Sequence, residues 1–179
     1  MKFSKFIIIP LFIAFLAFTM QAIDQAISKF FPPAGNRGFA WIAFQAWAMY
    51  FLAGCTPKNG VRTFLGYGIG ILASIAIMTL GPALSGCGFW AFPAAVFVVV
   101  VPVICLEKVK WLDFVPSIFV GAGVFFGFMS HIKGATFGGA TVSELFYCLF
   151  GLVYGYLTVS FRGWYEARVA AGAKQPSMQ

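Results

Sequence analysis

Residues Asp113 to Ser130 read D-F-V-P-S-I-F-V-G-A-G-V-F-F-G-F-M-S. The stretch is uncharged after Asp113, and its length approaches the roughly 20 residues that a helix needs to cross a bilayer. Four of its residues fall on one helical face, at steps of four, four and three: Phe119, Gly123, Gly127 and Ser130. The pattern predicts a membrane-spanning helix that carries a face of mostly small residues.

This face admits two interpretations. Gly123 and Gly127 form a G-x-x-x-G pair, which in lipid lets a neighbouring helix approach closely and pack through dispersion contacts. The same glycines could instead leave room for a solute path beside Phe119. In either case we expect Pro116 in the first turn, where its missing N–H costs least, and we assign Gly121 to helix packing.

Two more G-x-x-x-G pairs occur elsewhere in the chain. Gly66 and Gly70 lie in one apolar run, and Gly151 and Gly155 lie in another. Such pairs bring helices together within one chain or between chains. They predict close helix packing, and a homo-oligomer is possible on the same grounds.

The composition restricts the class of protein. Of the 179 residues, 61% are hydrophobic and only 9% are charged. Soluble domains carry about 25% charged residues, so this depletion excludes a soluble fold. We predict an all-α polytopic membrane protein with a single transmembrane domain over residues 1–170 and a flexible tail over 171–179.

The apolar runs predict six spans. Residues 63–106 carry no charge and are too long for one span, and the glycines around Pro82 mark a break within them. The predicted spans are residues 6–22, 39–55, 63–80, 89–106, 114–130 and 144–161. The first run could also be a cleaved signal peptide, but the large Met20 close to the cut site favours a retained span.

The basic residues predict the orientation. With six spans and both termini in the cytoplasm, nine Lys and Arg residues fall in inner segments and three in outer segments, as the positive-inside rule requires. Because these residues flank apolar runs and form no continuous patch, we expect contact with a lipid bilayer and not with nucleic acid.

Little in the sequence points to chemistry. No predicted span has a charged residue at its centre, which argues against proton coupling because proton-coupled transporters usually keep one there. The deepest polar side chain is Gln45, whose amide could contact a small solute or bond a neighbouring helix. We find no catalytic motif and no metal-ligand spacing, so we expect neither an enzyme nor a cofactor.

Two polar residues flank the loop predicted at residues 131–143. His131 is the only histidine, and a lone histidine is a poor zinc site because zinc takes three or four such ligands. Glu144 is expected to begin the sixth span, where a negative charge suits the positive end of the helix. The alternative is that both residues bind a solute at the outer mouth of a path.

Two motifs resemble a known family. The first is F-V-P-x-x-F-x-G-A at residues 114–122, and the second is G-x-x-x-G-Y at 151–156, followed by Gly163-Trp164 and Ala167-Arg168. Over about two-thirds of the chain, they resemble the YcdZ-like family of small bacterial inner-membrane proteins. The resemblance implies a multi-pass protein of that membrane and implies no substrate. This chain departs from the family in a longer first segment and a longer loop around 133–141.

Two functions fit these observations. The leading hypothesis is a channel or transporter for a small, unidentified solute, without proton coupling, whose path is bordered by Gln45 and by the face that contains Phe119, Gly123, Gly127 and Ser130. The alternative is a structural or accessory subunit that packs with other membrane proteins.

Overall fold

The computed structural model describes residues 3–173, and over this range the chain is all-α, without a strand. A single helical turn, Phe3–Phe6, precedes six longer helices. These are α1 (Ile8–Ile27), α2 (Ala40–Leu52), α3 (Pro57–Ala83), α4 (Ala91–Cys105), α5 (Val115–His131) and α6 (Phe137–Ala173). Short 3-10 turns follow three of them, at Ser28–Phe30, Ser85–Trp90 and Leu106–Lys108. The all-α part of the predicted fold class is confirmed.

Four helical segments in the described range are long and apolar enough to cross a membrane: Phe3–Phe30, Pro57–Ala83, Ser85–Lys108 and Phe137–Gly172. They are typical of a membrane protein. The other two helices, α2 and α5, are apolar but shorter, at 13 and 17 residues. A 13-residue helix is only about 20 Å long, so six complete spans and the orientation of the termini stay predictions.

The boundaries of the first and last helices differ from those predicted. Helix α1 continues past residue 22 to Ile27. Helix α6 begins at Phe137, not at Glu144, because Thr136 caps it: the Thr136 Oγ1 accepts the Gly139 N–H at 3.1 Å. The predicted loop of residues 131–143 therefore shrinks to 132–136. Helix α6 also includes residues 171–173, while 174–179 lie outside the described residues.

Helices α1 and α6 run antiparallel over most of their length. Three contacts mark their register: Lys5 with Tyr165, Phe12 with Phe161, and Thr19 with Tyr154. The numbers rise along α1 as they fall along α6. Stacked rings 3.8 Å apart make the middle contact, and hydrogen bonds of 2.7 and 3.1 Å make the outer two.

Helices α3 and α5 form a closely packed parallel pair. A Cβ atom added at Gly70 would lie 2.5 Å from the backbone nitrogen of Ala122, and one added at Gly121 would lie 2.7 Å from the Tyr67 Cα. A Cβ at Gly66 would collide with the Ser117 hydroxyl. Glycine on both helices is what allows the two backbones to approach this closely.

Helices α2 and α6 form a second parallel pair. A Cβ atom at Gly151 would collide with the Ala43 carbonyl oxygen, and one at Gly155 would lie 2.6 Å from the Tyr50 Cβ. These two pairs hold most of the buried apolar residues. Helix α4 lies outside them, since it packs mainly against α3 and has Ala95 as its one buried residue.

The connection from α4 to α5 is fixed to the start of α3. The Arg62 guanidinium lies 2.5 Å from Asp113 Oδ2 and donates to Oδ1 at 3.0 Å, and the Lys58 ammonium lies 5.7 Å from the centre of the Trp111 ring. The hydrogen bond from Arg62 holds the pKa of Asp113 below its ordinary value of 3.8.

Replacing Asp113 with asparagine is expected to lower the melting temperature slightly at neutral pH, and not at low pH. A carboxyl group with a lowered pKa stabilises the fold above its unfolded pKa, and this stabilisation disappears as the pH falls through the folded pKa. The effect is small because both side chains are partly exposed. Thermal unfolding in mild detergent across this pH range measures it. A difference between wild type and Asp113→Asn that grows on acidification would contradict the assignment.

Candidate functional site

A groove of about 400 Å³ lies between α2 and α5. Its lining residues are Gln45, Ala48, Met49, Val120, Gly123 and Val124. Gln45 supplies the one polar side chain among them, and it lies near the middle of α2. The groove is therefore an apolar surface with a single amide that can donate and accept hydrogen bonds.

The predicted path residues lie on the exterior of the bundle. Phe119 is 55% exposed, and Gln45, Gly123 and Ser130 are exposed as well. Added Cβ atoms at Gly123 and Gly127 would have no neighbour within 4 Å, in contrast to Gly121 on the face that packs against α3. The groove brings Gln45 and Gly123 together, while the rest of the predicted face continues along the outer surface of α5. Pro116, assigned to packing, is exposed in the first turn of α5.

His131 and Glu144 occupy different surroundings. His131 is exposed at the end of α5, with its Nδ1 3.1 Å from the Gly127 carbonyl oxygen. It borders a cavity of about 500 Å³ that Arg37, Lys133 and the connection before α2 also line. Glu144 is fully buried on α6. The expectation that Glu144 begins a helix at the surface is wrong, because α6 starts seven residues earlier.

Asp24 is a buried carboxylate, and one of its two oxygens accepts two hydrogen bonds. It is 1% exposed near the end of α1, and its Oδ1 accepts the Tyr147 hydroxyl at 2.6 Å and the Phe39 N–H at 2.9 Å. Phe39 immediately precedes α2, so the negative charge lies at the positive end of that helix. A Cβ at Gly38, which has a φ of 91°, would collide with this carboxylate. Asp24 therefore joins α1, α2 and α6.

Glu144 is a buried carboxyl group without a hydrogen-bond partner on either oxygen. Tyr67 on α3 and Cys148, one turn along α6 from Glu144, are buried in the same core. The Tyr67 hydroxyl is also buried without a partner. The two unpartnered groups thus lie in the same core, between α3 and α6.

Asp24 and Glu144 are both buried acidic residues, although neither lies at the centre of its helix. The sequence placed Asp24 in a polar connection and Glu144 at a helix start, and the argument against proton coupling depended on both placements. A signal for Glu144 was present in the spacing of α6. Five residues share a face at helical intervals and are all buried: Ala140, Glu144, Tyr147, Cys148 and Gly151.

The comparisons with known proteins give one match. A family model described as "Protein of unknown function (DUF1097)" matches residues 7–162. Neither the curated proteins nor the solved structures contain a match. The matched range takes in α1 to α5 and most of α6, and so includes the groove between α2 and α5 and both buried carboxyl groups.

Proposed function

The chain belongs to the DUF1097 family, and from this premise we propose that it is a small-solute channel or transporter of the bacterial inner membrane. The family description supplies no activity, so the proposal depends on the geometry of the chain. The main support for the proposal is the groove between α2 and α5. The Gln45 amide and Gly123 both line this groove, and the space beside Gly123 is open.

An exposed amide in an apolar groove needs a partner. Within a membrane, a polar group that has lost water and found no hydrogen bond is costly. A solute with hydrogen-bonding groups would supply the partner for Gln45. Because the groove lies on the exterior of the bundle, the solute path would run between copies of the chain. The proposed active form is therefore a homo-oligomer in which α2 and α5 face the path.

Other features support the location. The nine-to-three distribution of basic residues agrees with six spans and cytoplasmic termini, and the two short helices would complete the six. The resemblance of the two glycine-containing motifs to YcdZ-like proteins agrees with the bacterial inner membrane. The proposed activity needs no cofactor, no metal ion and no catalytic group.

Replacing Gln45 with alanine is expected to lower the flux of the solute about three- to tenfold, since one hydrogen bond contributes about 0.5–1.5 kcal/mol. Gly123→Leu should nearly abolish flux because it fills the groove. It should leave the fold intact, because an added Cβ there has no neighbour within 4 Å. Stopped-flow shrinkage of liposomes that contain the purified protein measures both effects, with a panel of neutral and ionic solutes.

The matched control is Gly163→Leu on the exposed surface of α6, where an added Cβ also has no neighbour within 4 Å. It adds apolar volume of similar kind away from the groove and should leave flux unchanged. If the Gly123→Leu variant still transports solute, the groove is not part of the solute path. If folded wild-type protein moves none of the solutes, the transport proposal is wrong. The structural or accessory subunit then becomes the better account.

A further inference from the structure

Glu144 has no counter-charge in the described part of the chain. The recorded ion pairs join Arg62 with Asp113, Lys108 with Glu107, and Arg162 with Glu166. None of them includes Glu144, whose two carboxyl oxygens are buried and without hydrogen-bond partners. A carboxylate in this position would hold a full negative charge in an apolar interior, with nothing to balance it.

The titratable groups around Glu144 supply no positive charge that could balance a carboxylate. Helix α3 contributes the Tyr67 hydroxyl, and α6 itself contributes the Cys148 thiol and, one turn away, Tyr147. Tyr147 already donates its proton to Asp24 of α1. The buried residues of α5 include no titratable group, and those of α2 include only Tyr50. None of these groups can carry a positive charge.

We propose that Glu144 is a proton-binding site within the membrane-spanning bundle, which holds a proton at neutral pH. The bound proton converts the carboxylate into a neutral acid, so the buried charge disappears. The acid has one O–H to donate and retains an oxygen that accepts.

Asp24 provides an internal contrast. It is as deeply buried as Glu144, yet it accepts hydrogen bonds from a hydroxyl and from a backbone N–H at a helix start. Donors of this kind favour the charged form of a carboxyl group. One buried carboxyl group therefore has hydrogen-bond donors around it, and the other has none. This inference does not depend on the groove between α2 and α5 or on any solute.

Infrared difference spectroscopy tests the proposal directly. A protonated carboxyl group gives a carbonyl stretching band that ionised carboxylates lack. The exposed acids Glu107 and Glu166 lie in ion pairs with Lys108 and Arg162, and Asp113 pairs with Arg62. We expect wild-type protein in lipid at neutral pH to show this band and Glu144→Gln to lose it completely. Asp24→Asn should keep it. A shift of the band in deuterium oxide would identify its source as a group with an exchangeable proton, as expected for a carboxylic acid.

Two further variants keep the result interpretable. Glu144→Asp retains an acid at the site and should keep a band even if Glu144→Gln folds poorly. Tyr67→Phe removes a buried hydroxyl that makes no hydrogen bond to Glu144 and should keep the band. A wild-type band that is absent at neutral pH, or unchanged in folded Glu144→Gln, would overturn the proposal. Because the band is read without transport, its presence or absence is independent of the flux experiment.

Discussion

Replacing Gly70 with alanine is expected to lower the free energy of unfolding by about 1–3 kcal/mol. The added methyl group would lie 2.5 Å from the backbone nitrogen of Ala122 and would also meet the Ile118 carbonyl oxygen. These neighbours are backbone atoms, which cannot rotate away as a side chain can. Helices α3 and α5 would have to separate along the contact, and the dispersion energy that holds them together in lipid would fall.

Gly68→Ala is the matched control, two residues away on the same helix. An added Cβ at Gly68 meets nothing within 4 Å. Alanine is better than glycine in a helix by about 1 kcal/mol, so Gly68→Ala should be neutral or slightly stabilising. Unfolding from mild detergent by titration with a denaturing detergent measures both variants. Equal stabilities for Gly70→Ala and Gly68→Ala would show that α3 and α5 do not approach as described.

The sequence predicts the extents of the fourth and fifth helices closely, whereas α3 begins at Pro57, six residues before the predicted start at residue 63. The helix Val115–His131 covers the segment predicted as the fifth span, residues 114–130, because a proline and a charged connection mark its start. The fourth was expected at 89–106 and is found at Ala91–Cys105. In both segments the apolar run, the helix breakers and the charges change at the same positions. Local signals are then sufficient to place a boundary.

The sequence was less informative about the first and last helices. A charge near the end of an apolar run usually marks the membrane surface. The sequence pattern therefore predicts that Asp24 and Glu144 lie at the ends of membrane spans, outside the core. Asp24 is buried because its partner, Tyr147, lies 123 residues further along the chain. Such a contact depends on the packing of α1 against α6, which no local pattern encodes.

The orientation of α5 at the candidate site also depends on helix packing, which local sequence patterns do not encode. Gly121 and Gly123 are two residues apart and point to different sides of the helix. Gly121 packs against Tyr67 of α3, while Gly123 lies open in the groove. Both belong to patterns of small residues, so the sequence could not indicate which side of α5 packs within the chain. The structure distinguishes them through the position of α3.

Replacing Asp24 with alanine is expected to lower the free energy of unfolding by about 3 kcal/mol or more. Hydrogen bonds to charged groups contribute about 1.5–3 kcal/mol each, and Oδ1 of the Asp24 carboxylate accepts two, besides a longer bond of 3.5 Å from Gln21 to Oδ2. Without it, the Tyr147 hydroxyl and the Phe39 N–H would be left buried with no acceptor. The three helices that meet at this carboxylate would lose their shared contact, and the N-terminus of α2 would lose its negative charge.

Asp24→Asn separates the loss of the hydrogen bonds from the loss of the charge. Its side-chain oxygen can still accept from Tyr147 and Phe39, so it should cost less than half as much as Asp24→Ala. Tyr147→Phe removes one of the two bonds and should fall between wild type and Asp24→Ala. If the carboxylate acts through Tyr147, the double variant Asp24→Ala/Tyr147→Phe should be less destabilised than the sum of the single variants, since both remove the same bond. Additive losses would mean that Asp24 stabilises the bundle without this contact. The joining of α1 to α6 would then depend on other contacts, such as Thr19–Tyr154, Phe12–Phe161 and Lys5–Tyr165.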